Sequence, residues 1–259
     1  MMMALNTALI AQPLQDGAAT AASMGSGASI GPMTWIGILV VMALIPFLLT
    51  MVTSFAKLVI VGGIIRQAMG TPQIPPTSVI TGLALILSLH IMSPVMIQAF
   101  ESFQTEEQKL PVPTTDEERS ELAYDRIRLV LDSASEPMTT FLTAHAAPDN
   151  VELFRSLRTR LMGEQQQQLR EPSIDAALEL VTVLAPAFIL TELTEAFQIG
   201  FLIFVPFLVI DLVVSNLLLA MGMHMLSPVT VSLPLKLLLF VLIDGWTLIL
   251  QGIVMGYVI

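Results

Sequence analysis

Cysteine is missing altogether from this 259-residue chain, so no disulfide framework, thiolate nucleophile or cysteine zinc site is available to it. That absence does not identify a compartment. Charge is scarce as well, at 12% of residues against roughly 25% in ordinary soluble domains. The 11 basic and 21 acidic residues leave a net charge of −10. A basic nucleic-acid footprint is therefore lacking, and no nucleic-acid partner is expected. The three histidines, His90, His145 and His224, stand far apart, and none belongs to a pattern such as H-E-x-x-H. No metal, cofactor or catalytic site is expected from them. Gly25, Gly27 and Gly31 have a superficial nucleotide-loop look, but they follow no strand and sit in a small-residue tail.

What is abundant is apolar: 54% of residues are hydrophobic and the mean hydropathy is +0.79. This points to the membrane class. The charge is also unevenly placed. Residues 101–172 hold 14 acidic and 8 basic side chains, leaving 10 charges for the other 187 positions. Residues 33–56 and 71–100 carry none, and each run exceeds the roughly 20 residues that cross a bilayer as helix. Between them Gly70, Pro72, Pro75 and Pro76 mark a turn. The expected organisation is all-α: a flexible tail over 1–32, a first apolar helical hairpin over 33–100, a solvated helical insert over 101–172, and a second apolar half over 173–259. The tail has no Lys or Arg in residues 1–11, unlike the n-region of a signal peptide. Lys57 and Arg66 flank the first turn and place it on the cytoplasmic side, leaving the insert periplasmic.

The insert reads as helices punctuated by Pro137. Thr115 with Glu118, and Asp149 with Glu152, have capping-box spacing. Leu122, Ile127, Val130, Leu131 and Ala134 follow on one face, then Phe154, Leu157 and Leu161, with Gly163 as a C-cap. Gln165–Gln168 reads as a loop tip.

The second half is apolar but interrupted by Glu179, Glu192, Glu195, Asp211, Lys236 and Asp244, and by four prolines. A charge at mid-bilayer costs about 2.5–3.5 kcal/mol on insertion scales, so such residues usually face protein or water. Broken helices packed inside a complex are expected. Lys236 is the only basic residue after Arg170, so Glu192 or Glu195, three apart on one helix face, is its expected partner, within the chain or between copies. The alternative is a lysine that snorkels to water. Asp211 and Asp244 are further acids in apolar sequence, but nothing in the sequence brings them together as a protease dyad. Met223, His224 and Met225 follow a strongly apolar run in a chain with 16 methionines, a composition suited to a deformable seal or to ordinary helix-end packing. Gly252 and Gly256 have the G-x-x-x-G spacing of close helix contacts.

Several ordered strings resemble the FliP/SctR family. In the first half these are Thr53-Ser54-Phe55 with Lys57, then Arg66, Gly70, Pro75-Pro76, Gly82-Leu83-Ala84-Leu85 and Met92-Ser93-Pro94-Val95. In the second half they are Pro186-Ala187-Phe188, Glu192-Leu193, Ala196-Phe197-Gln198-Ile199-Gly200-Phe201, Pro206-Phe207 and Ile210-Asp211-Leu212-Val213-Val214. Residues 222–234, Lys236 and Asp244-Gly245-Trp246 complete the set.

The resemblance implies a core component of the type III export apparatus in the bacterial inner membrane. Such proteins assemble in several copies, with FliQ/SctS-like and FliR/SctT-like subunits, into a helical gate crossed by unfolded substrates. A FlhB/SctU-like protein joins from the cytoplasm, and the gate sits largely above the membrane plane. The family's methionine gasket maps to Met223, His224 and Met225. His224 departs from the methionine often found there, which makes the seal open to pH. The Pro46-Phe47-Leu48-Leu49 string and Asp244-Gly245-Trp246-Thr247-Leu248 look more like the injectisome branch than the flagellar one. An ion-coupled secondary transporter is the competing class, on the strength of the acids and Lys236 in apolar sequence. No repeat between the halves supports it.

Overall fold

The computed structural model describes residues 39–40, 42–43, 50–71, 73–108, 116–162 and 178–258. The tail, most of the first apolar run, Thr115, Gly163 and Gln165–Gln168 lie outside these residues. Residues 1–47 form a unit of their own, in which 39, 40, 42 and 43 are helical and exposed. The rest of the chain is the second unit, and among its described residues there is no strand.

Among the described residues seven α-helices follow in order: α1 Phe55–Ala68, α2 Thr77–Glu107, α3 Asp116–His145, α4 Pro148–Met162, α5 Ala185–Ala220, α6 Pro228–Leu242 and α7 Gly245–Met255. A single π-helical turn, Leu180–Leu184, leads directly into α5. Two of the helical stretches, α2 and Leu180–Ala220, are long and apolar enough to cross a membrane, and the bent pair α6–α7 makes a third if counted as one span. The 31 residues of α2 reach roughly 46 Å at 1.5 Å per residue, well beyond a hydrocarbon core of roughly 30 Å.

The start of α1 is fixed by Thr53, whose Oγ1 accepts the Phe55 amide at 3.4 Å and the Ser88 hydroxyl of α2 at 3.2 Å. At the far end Gly70 takes φ +77°, a conformation only glycine adopts freely. Arg66 then spans the turn to donate to Thr77 Oγ1 at 2.8 Å. α1 lies against both α2 and α5, α3 against α2, α4 against the π turn and α5, and α6 against α5 and α7. Val61, Ile65, Ala84, Leu142, Ala187, Phe188 and Ala196 are the centre of the shared core. α5 approaches α1 closely because Gly200 has no side chain: a Cβ there would lie 2.3 Å from Ile64 Cδ1.

The insert is less separate than its composition suggests. α2 continues past the expected boundary at residue 100 to Glu107. Pro137 lies inside α3 and does not restart the chain, because Met138, Phe141 and Leu142 just beyond it are held on the common core. α4 begins at Pro148, which puts Asp149 in its first turn and not at the N-cap. Leu161 is 86% exposed, so it does not join Phe154 in the core. The Gly252 and Gly256 spacing makes no close helix contact here, since a Cβ at Gly252 would meet nothing within 4 Å.

α6 and α7 meet at a 58° bend. Asp244 turns it with φ 50°, ψ 50°, a left-handed conformation that Asp tolerates better than most residues. The next residue must be small: a Cβ on Gly245 would sit 2.4 Å from Phe240 Cε2. That ring is fixed by Phe207 at 6.3 Å and, edge-on, by Trp246 at 5.4 Å. Gly245→Ala is therefore expected to cost about 1–3 kcal/mol. Thermal unfolding of the detergent-purified chain checks this, and adding Phe240→Leu should recover part of the loss.

Candidate functional site

The second apolar half is organised as a hairpin, α5 and α6 joined by residues 221–227. Position along a hairpin decides which side chains meet. Asp211 lies ten residues before Met221 and Lys236 nine after Ser227, so the two fall opposite each other. Lys236 Nζ reaches Asp211 Oδ2 at 2.6 Å and also donates to the carbonyl of Ala68, at the last residue of α1, at 3.2 Å. Ser232, fully buried, donates to Asp211 Oδ1 at 2.5 Å. Within the chain, the expected pairing of Lys236 with Glu192 or Glu195 is thus corrected to Asp211. Both glutamates lie too far up α5 to face α6 at that level. The snorkelling alternative is corrected too, because Lys236 is only 3% exposed.

The glutamates belong to Lys57. Its Nζ lies 3.0 Å from Glu192 Oε1 and 2.6 Å from Glu195 Oε2. Lys57 and Glu192 are buried, whereas Glu195 is about half exposed. Tyr257, just beyond α7, donates its hydroxyl to Glu192 Oε2 and sets its ring under the ammonium, 4.4 Å from ring centre to Nζ. The neighbouring Thr191 ties in the α3–α4 corner: its Oγ1 accepts from the Ala147 amide and from Asn150 Nδ2, both at 2.9 Å. A cleft of about 260 Å³ opens beside the cluster, with Lys57, His145, Thr191, Glu192, Glu195 and Gly256 on its walls. Lys57 is therefore a core cation and not a marker of the membrane surface, which leaves Arg66 as the basic residue at the α1–α2 turn. Its spacing carried the signal: Val61 and Ile65, four and eight residues on, are buried on the same face.

The expected gasket residues sit together on the hairpin loop. α5 ends in a Schellman motif: Gly222 has φ +71°, its amide donates to Leu219 O at 3.0 Å, and the Met223 amide donates to Leu218 O at 2.9 Å. α6 restarts with Pro228 after an extended Ser227. The stretch between is exposed, Met223 by 44% and Met225 by 99%, with His224 exposed between them. Val229 lies beside Gly70, so the loop and the α1–α2 turn share one end of this unit. Asp244 is exposed at the α6–α7 bend and is not a buried acid. Among the described residues no group of three or more His, Asp or Glu side chains is arranged to hold a metal ion.

Stranding one member of a buried ion pair typically costs about 3–5 kcal/mol. A double-mutant cycle on Lys236→Ala and Asp211→Ala should give a coupling of about 1–3 kcal/mol, reduced from the buried limit because Asp211 is partly exposed. The same cycle between Lys236 and Glu192 should stay within about 0.5 kcal/mol, read by thermal or denaturant unfolding.

The FliP family model matches residues 38–253. The chain is 41% identical to "Yop proteins translocation protein R" of Yersinia pestis over 220 residues, covering 85% of this chain and 94% of that one. It is 38% identical to "Virulence protein YscR" of Salmonella typhimurium over 226 residues, 87% and 97% of the two chains. It is 36% identical to "Flagellar biosynthetic protein FliP" of Pectobacterium carotovorum over 251 residues, 96% and 84%. With a matching model across most of its length and relatives well above 30% identity along nearly their whole length, the chain belongs to the FliP family.

Proposed function

We propose that this chain is a structural pore subunit of a type III protein-export gate, and that Met223, His224 and Met225 form the seal of its conduit. The observation that carries the reading is the exposed loop on a rigid mount: three gasket-type side chains held clear of the bundle between a Schellman cap and a proline-started helix. Thioether side chains are flexible and polarizable, so several such loops around one axis can close on each other and still yield to a passing chain. The membership in the FliP family, with relatives named for translocation and virulence, supports the export role. The uncovered apolar surface supports a multi-copy state: the most apolar window of Leu180–Ala220 is only 17% buried, which demands lipid or other subunits around it.

The proposed partners are further copies of this chain, FliQ/SctS-like and FliR/SctT-like subunits, a FlhB/SctU-like protein and unfolded substrates. The proposed location is the bacterial inner membrane, with α3 and the α3–α4 corner on the periplasmic side. Relatives named for Yop translocation and for virulence, together with the strings quoted above, favour the injectisome branch.

Replacing Met223, His224 and Met225 together by Ala should raise ion leakage through the purified complex without preventing its assembly, as read by single-channel conductance. His224→Met should lower leakage. Unchanged conductance in the triple variant removes the seal from these residues. For the branch, expression in bacteria lacking an injectisome SctR-type subunit should restore secretion, and expression in cells lacking flagellar FliP should not restore motility.

A further inference from the structure

The cluster around Glu192 gathers two carboxylates, one buried and one half exposed, around a single buried ammonium, a surplus of one negative charge. Lys57 is shared between Glu192 Oε1 and Glu195 Oε2. Glu195 is half exposed and solvated on its open side, but Glu192 is 2% exposed, and its second oxygen has one partner, the Tyr257 hydroxyl. A buried carboxylate oxygen with no donor is costly, and a donor to an ionised acceptor contributes more than a neutral hydrogen bond. The phenol is also held in place. Its ring stacks on Phe141 at 6.2 Å and 12°, lies 5.2 Å from His145, and faces Lys57.

We infer that Tyr257 is a positioning residue whose hydroxyl proton makes the Glu192 carboxylate tolerable in the core, and so keeps Lys57 bridging α1 to α5. The segment after α7 is then no passive end to that helix. It completes an ionic site assembled from residues 65 and 200 positions earlier in the chain. This role is independent of the export reading and of the methionine loop.

The charged and titratable groups around the phenol are Lys57 from α1, His145 from α3, and Glu192 and Glu195 from α5. Tyr257→Phe keeps the ring over Lys57 and removes only the donor. Proton uptake by a carboxyl relieves an uncompensated charge, so the defect should be largest at the alkaline end and shrink toward the acid end. A loss of packing has no such dependence.

The test is thermal unfolding of the full chain in mild detergent between about pH 8 and about pH 5. Tyr257→Phe should lower the midpoint by about 5 °C at the alkaline end, and by less than half of that at the acid end. Ile253→Ala, a buried apolar truncation in α7, gives the comparison: its loss should be flat across pH. Glu192→Gln combined with Tyr257→Phe should unfold within about 2 °C of Glu192→Gln alone, because no carboxylate then faces position 257. A Tyr257→Phe deficit that is absent, or as flat as that of Ile253→Ala, overturns the inference, as does failure of Glu192→Gln to remove it. If Tyr257→Phe does not accumulate as folded protein, recovery of the double variant supports the role and its failure overturns it.

Discussion

The structure turns on the cost of placing a lysine among apolar helices. An ammonium moved away from water loses several kcal/mol of hydration, and only close, well-aligned acceptors return it. Lys57 and Lys236 meet that demand in different ways. Lys57 takes two carboxylates and an aromatic face. Lys236 takes one carboxylate and a helix-terminal carbonyl, a favourable place for a cation because unpaired carbonyls concentrate negative potential at a helix C-terminus. In both cases the acceptors come from distant parts of the chain, so Lys57 is not satisfied until α1 and α5 are side by side, nor Lys236 until α6 joins them. Apolar packing is non-directional and accepts many arrangements of these helices. The two ion clusters accept few.

They also divide the work along α1. Lys57 holds its beginning to α5 and, through Thr191, to the α3–α4 corner. Lys236 holds its last residue to the α5–α6 hairpin. Between them the contact is apolar and tight, with Gly200 under Ile64. The helix is thus pinned at both ends, and the charge-rich region of the chain is tied to the apolar bundle through polar contacts and through Phe141 and Leu142.

Much of this was legible in the sequence. Uncharged runs and helical spacing point to the helices of the described residues, and Gly222 with Pro228 brackets the exposed loop at Met223–Met225. The partners of the charges were harder to read. The nearest acids in sequence are not the nearest in space, but counting residues from the loop puts Lys236 opposite Asp211 and leaves Glu192 near Tyr257. Lys57 was obscured because it borders an uncharged run, where a lysine usually marks a membrane surface; its four-residue spacing from Val61 pointed inward instead. Pro137 shows a limit of local signals. The helix continues through it because core contacts on its far side outweigh one lost backbone hydrogen bond. Tyr257 offered no signal of its own, since one tyrosine in an apolar stretch looks like any interfacial aromatic.

The paired ions also act as detents on sliding. Moving α6 along α5 by one helical turn, roughly 5.4 Å, would separate Lys236 from Asp211 and Ser232 from Asp211 together, with no second acid one turn away to receive them. The hairpin therefore resists shear as a unit. Stiffness ends at Ala220, where the helix closes on Gly222, and resumes at Pro228. A force applied at the loop is taken up by the seven residues in between, as bending of a short free segment, before it reaches the bundle behind it.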